Sequence, residues 1–173
     1  MSDNSQKKPW PKWLIWGRDI VIFAVIISAV MAWQSKDMLD DDGSIAIENQ
    51  VLPNLNGQSG NILTSDKPTL LYFFAPWCKV CALSIGNLDY IDSEKVNVVT
   101  IALDYENIKD VEAFVNNHEV KSKVLLGNTK LKNEFQVQGY PSYYLVNEEN
   151  QIVSRSFGYS TAAGLKLREM FGR

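Results

Sequence analysis

The first apolar run of the chain has no polar face. Ile20 to Trp33 carries no charge, and Leu14 to Gly17 extend it backwards across Arg18 and Asp19. From Leu14 to Trp33 the segment is 20 residues long, enough as a helix to cross the roughly 30 Å of a bilayer core. Trp10, Trp13 and Trp16 stand at its start and Trp33 at its end, where indole rings favour the two headgroup zones. The pattern predicts one transmembrane anchor over 14–33, preceded by a short segment, 1–13. Arg18 can snorkel to the surface or pair with Asp19. Because the charge-free part is only 14 residues, a signal peptide cleaved before Trp33 stands as the rival reading.

Hydrophobic periodicity then vanishes. Residues 34–45, with Asp37, Asp40, Asp41, Asp42 and Gly43, predict a solvated acidic tether. Periodicity returns in a domain over 46–173. Val51 to Leu55 and Asn61 to Leu63, separated by Gly57-Gln58-Ser59-Gly60, predict a short hairpin. Thr69 to Ala75 is continuously apolar, the pattern of a strand buried on both faces, and Pro76 ends it. Leu83, Ile85, Leu88 and Ile91 place a helix from Cys78 to about Ile91. A second buried strand follows at Val96 to Leu103, and a helix at Asn107 to Asn117. Val124 to Leu126 predicts a short strand, and Asn128 to Phe135 a helix opened by an Asn cap. Ser142 to Val146 and Ile152 to Phe157 flank a turn at 147–150, and Ser160 to Phe171 closes the chain as a helix. Early crossovers and a late hairpin imply an α/β fold, a mixed sheet between helices.

Charge adds orientation. Lys7, Lys8, Lys12 and Arg18 precede the apolar run and the acidic cluster follows it, so the N-terminus is expected in the cytoplasm and the domain outside. From Gln34 onward 13 Lys and Arg face 18 Asp and Glu, and no basic stripe with interleaved aromatics appears, so no nucleic-acid partner is expected.

The chemistry is concentrated at Cys78 and Cys81, the only two cysteines. A bridge across two residues restricts the unfolded chain little, so a purely structural disulfide is a poor explanation. A zinc site needs four ligands, whereas the one histidine, His118, lies 37 residues past Cys81. His118 reads as a surface residue near a helix end. Two thiolates alone could hold copper(I), which remains an alternative. A redox pair needs one readily ionised thiol and a second within reach. At the start of a helix, Cys78 meets free N–H groups and, from Lys79, a positive charge, while Cys81 lies one turn on and deeper.

The run Phe73-Phe74-Ala75-Pro76-Trp77-Cys78-Lys79-Val80-Cys81 resembles the active-site segment of the thioredoxin superfamily. Gly139-Tyr140-Pro141-Ser142 is similar to the superfamily's cis-proline loop. The likeness covers Val51 to Phe171. It implies a thioredoxin-like fold, with Cys78 as nucleophile, Cys81 as resolving thiol, and Trp77, Tyr140 and Pro141 as the substrate-binding surface, with no cofactor beyond the cysteines. The N-terminal hairpin and the extra helix–strand unit at Asn107 to Leu126 look like the membrane-anchored TlpA-like or DsbE-like branch. Phe157 to Ser160 and Gly164 to Arg168 most resemble the copper-sensitivity suppressor D proteins. That branch implies a periplasmic reductase of protein disulfides on the inner membrane, with a membrane electron donor as partner; a disulfide oxidase is the alternative. Tyr72 departs from thioredoxin, which carries a buried acid there, and leaves the proton route to Cys81 open.

Overall fold

The computed structural model describes residues 12–64 and 66–171. It divides into two units, Met1–Lys36 and Asp37–Arg173. Of the first, the described part is helix α1, Lys12–Ser35, followed by Lys36. The apolar side chains described along it, from Trp16 to Val30, are all exposed. Arg18 donates two hydrogen bonds to Asp19 Oδ1, at 3.1 and 3.0 Å. Among the described residues no helix is long and apolar enough to cross a membrane. Residues 1–11, which hold the lysines and the first tryptophan of the orientation argument apart from Lys12, lie outside the described residues.

The second unit is built on a five-stranded mixed sheet in the order β5-β4-β3-β6-β7. The strands are β3, Thr69–Phe74; β4, Asn97–Ala102; β5, Lys123–Leu126; β6, Ser142–Val146; and β7, Ile152–Phe157. β3, β4 and β5 run parallel, whereas β6 and β7 are antiparallel to their neighbours. β3 lies at the centre because its six residues are all apolar or tucked away, and every one is buried. Leu71 and Phe73 point into one core, with Val99, Ile101 and Tyr144. Leu70, Tyr72 and Phe74 point into the other, with Ala102, Tyr143 and Leu145. The first core is closed by Leu131 of α4 (Thr129–Glu134), Phe135, and Leu52 of the hairpin formed by β1 (Val51–Pro53) and β2 (Ser59–Asn61). The second is closed by α2 (Lys79–Ser84), a 3₁₀ helix (Ile85–Tyr90), α3 (Ile108–Asn117) and Leu165 of α5 (Ala162–Phe171).

Three expectations are corrected. The helix expected from Cys78 to Ile91 stops at Ser84 and continues as the 3₁₀ helix. Ser84 Oγ donates to the Val80 carbonyl at 2.9 Å, a back-bond that bends helices, and Gly86 follows. The hairpin pairs Val51–Pro53 with Ser59–Asn61, so its second strand begins two residues early. Asn54 Oδ1 gathers the N–H groups of Asn56 and Gln58, which tightens the turn. Finally, the acidic segment expected to be a solvated tether is pinned to the sheet from Met38 onward. Arg155 of β7 donates to the carbonyls of Met38 and Leu39 at 2.6 and 2.8 Å and faces Asp40 and Asp41. Leu39 N–H donates to the Tyr144 hydroxyl, Ile152 N–H donates to the Ile45 carbonyl, and the Met38 side chain is buried. Composition alone reads such a stretch as solvated, because its buried partners lie more than a hundred residues away.

Candidate active site

At the carboxyl end of β3 the chain leaves the sheet through Ala75 and Pro76. Cys78 N–H closes the turn on the Ala75 carbonyl at 3.0 Å. Cys78 is the N-cap of α2, and its Sγ accepts the Cys81 N–H at 3.1 Å. Such a donor, aimed at sulfur, favours the thiolate over the thiol whenever the pair is reduced. Here Cys78 and Cys81 are joined as a disulfide. Cys78 retains 7% of its surface and Cys81 none, so an incoming group meets Cys78 first.

β6 lies antiparallel beside β3, with Ser142 opposite Phe73. That register brings the residues before Ser142 alongside the loop that carries the cysteines. The Tyr140–Pro141 peptide bond is cis, and Pro141 is buried. Trp77 is 64% exposed, and its ring meets that of Tyr140 edge to face, centroids 5.6 Å apart. Thus the structure gathers Trp77, Cys78, Cys81, Tyr140 and Pro141 at one end of the sheet. On its other side Trp77 borders an open groove of about 400 Å³ with Pro76, Phe114 and His118. The His118 ring rests on Phe114, centroids 4.6 Å apart. Among the described residues no group of three or more His, Cys, Asp and Glu side chains is placed to hold a metal ion.

Beneath the disulfide the Tyr72 hydroxyl lies 3.1 Å from Ser84 Oγ and 3.4 Å from the Cys81 carbonyl. Burial first, and then the neighbouring Tyr143, push its pKa well above the ordinary range. Tyr72 therefore keeps its proton, and its hydroxyl is engaged with Ser84 and main chain. Sequence reasoning missed Ser84, Asp104 and Lys132. Trp77 Nε1–H donates to the Asp104 carbonyl at 2.8 Å, and the Asp104 carboxylate pairs with Lys132. Asp104 stands one residue beyond the expected strand Val96 to Leu103, and Lys132 is 28 residues further on. The only local signal was an acidic residue at a strand end.

Residues 49–155 match the AhpC/TSA family. The chain belongs to that family. It is 26% identical over 116 residues to the thioredoxin-like protein YneN of Bacillus subtilis, covering 64% of this chain and 68% of that one. It is 25% identical over 123 residues to sporulation thiol-disulfide oxidoreductase A of the same organism, covering 67% and 74%. The crystal structure of StoA from Bacillus subtilis superposes with a TM-score of 0.62 at 24% identity, covering 71% of this chain and 98% of that one. A putative thiol:disulfide interchange protein DsbE from Chlorobium tepidum superposes at 0.66 and 18% identity, covering 77% and 96%. Together with the mixed sheet, these likenesses establish the thioredoxin-like fold. With a redox-capable cysteine pair at the expected end of that sheet, this AhpC/TSA family member is a thiol-disulfide oxidoreductase.

Proposed function

We propose that the protein is a membrane-anchored reductase of protein disulfides, working on the outer face of the cytoplasmic membrane. The observation that carries the reading is the graded burial of the pair, Cys78 at the surface rim and Cys81 enclosed, beside the Trp77–Tyr140 wall. The Cys78 thiolate attacks one sulfur of a substrate disulfide and expels the other as a thiolate, which takes a proton. Cys81, once deprotonated, attacks Cys78 Sγ in the resulting mixed disulfide and releases the second substrate thiol. Two electrons pass to the substrate, and Cys78–Cys81 is left oxidised. Tyr140, at the rim before Pro141, offers its backbone to an extended substrate segment by strand addition.

Anchoring is supported by α1, whose described apolar residues are exposed on all sides, as suits lipid rather than water. The Arg18–Asp19 pair lowers the cost of placing both charges near an interface. Lys12 and Arg18 before the apolar run and the aspartates after it favour a cytoplasmic N-terminus and an external domain, in bacteria the periplasm. There an oxidising surrounding demands a donor across the membrane, and a domain tied to that membrane meets such a donor at high effective concentration.

Acid trapping followed by alkylation tests the direction. Cys78 and Cys81 should be mostly reduced in growing cells and become oxidised when the membrane donor is removed. A pair found mainly oxidised in unperturbed cells would overturn the reductase reading in favour of an oxidase.

A further inference from the structure

Behind the wall of Trp77 and Tyr140 stands an ion pair that the exchange chemistry does not itself require. Asp104 follows β4 and takes a left-handed conformation, φ 47°, one that Asp tolerates better than most residues. Lys132 comes from the last turn of α4. Their side chains are 36% and 30% exposed, so the pair is partly shielded from water. The contact holds Lys132 Nζ 5.9 Å from the centre of the Tyr140 ring, within reach of a cation–π attraction. The same Asp104 anchors Trp77 through its main-chain carbonyl. The Tyr140 hydroxyl is itself buried beside the Asp104 carboxylate. Burial, and after it the nearby Asp104 carboxylate, raise its pKa, so the phenol stays neutral. The ring thus stands with Trp77 on one side and Lys132 on another, and with the Asp104 carboxylate by its hydroxyl.

We propose that Lys132, clasped by Asp104, is a positioning residue for substrate: it holds Tyr140 where the backbone before Pro141 can receive a polypeptide. Lys132 touches neither sulfur nor substrate in this role; it acts through Tyr140. The inference rests on the reading of Trp77 and Tyr140 as the docking surface, and the experiment separates the two. Steady-state reduction of insulin is measured with the full-length chain and its variants. Trp77→Ala and Tyr140→Ala should each raise KM; if neither does, the docking surface itself is misassigned. Given that rise, Lys132→Met should raise KM by about three- to tenfold, the loss of one partly shielded pair and one cation–π contact, while kcat changes by less than about twofold. Lys132→Arg, which keeps the charge and can span the ring, should restore most of the loss. Should Lys132→Met fold poorly, Lys132→Gln, which removes the charge and leaves Asp104 in place, is read instead. An unchanged KM in a folded variant, a fall confined to kcat, or failure of Lys132→Arg to do better than methionine would each overturn the proposal.

Discussion

Tyr144 ties two distant parts of the domain with one oxygen. Its hydroxyl donates to the Phe135 carbonyl at 2.7 Å and accepts the Leu39 N–H at 3.2 Å. Tyr144→Phe should therefore cost about 1–3 kcal/mol in denaturant unfolding, because a buried carbonyl and an N–H lose their partner together. The same residue makes stability pH-dependent. Burial, the largest influence, pushes its pKa up to about 12, against an ordinary value of 10.0. The unfolded chain then releases this proton before the folded one does. Stability is full below about pH 10 and declines as pH rises toward 12. Unfolding midpoints at pH 8 and 11 check this: the wild type should lose more between them than Tyr144→Phe does, and equal losses would refute the assignment. Residues brought to the site by close neighbours in the chain could be placed there from the sequence. Cys78, Cys81 and Trp77 share one loop, and Pro141 lies beside the strand it precedes. Lys132 and Asp104 could not, because their meeting depends on how α4 crosses the end of β4.

At the scale of elements, the buried strands of the main sheet were read more accurately than the helix that carries the cysteines. A strand such as β3 announces itself through six consecutive residues that all need burial. The limits of α2 depend instead on a single hydroxyl, that of Ser84, choosing the carbonyl of Val80. Where two elements meet closely, the clearance is set by glycine. A Cβ on Gly139 would fall 2.8 Å from Phe157 Cε2 of β7, closer than carbon atoms tolerate. Gly139 also gives its carbonyl to Ser142 Oγ at 2.8 Å, across the Tyr140–Pro141 bond. Gly139→Ala should therefore destabilise by about 1–3 kcal/mol through overpacking. It should also slow protein-disulfide exchange more than exchange with a small disulfide, because the loop proposed to receive a polypeptide is displaced. Parallel assays on the two substrate types decide it; equal slowing would place the strain elsewhere.

For the whole molecule, layer order was legible from pattern alone: the chain's alternation of strand and helix could close only as a mixed sheet with helices on both sides. What pattern could not show is where the segment after α1 goes. Its polar composition is the same whether it floats or docks, and docking is decided by Arg155 and Tyr144, both far along the chain. The docked segment has a consequence for self-association. A sheet with two open edges offers unpaired N–H and C=O groups to a second copy. Here β5 is bridged at Leu125 by Asn54 of the hairpin, and the start of β7 is occupied by Ile45 and by Ala46, which bridges Gln151. The acidic segment thus acts as a guard strand, with Asp40, Asp41 and Asp42 lending it a charge that repels its own kind. A domain prepared from Asp37 onward should stay monomeric in light scattering at high concentration. One begun at Glu48 should associate edge to edge, and more so as salt is added; if both remain monomeric, β7 needs no guard.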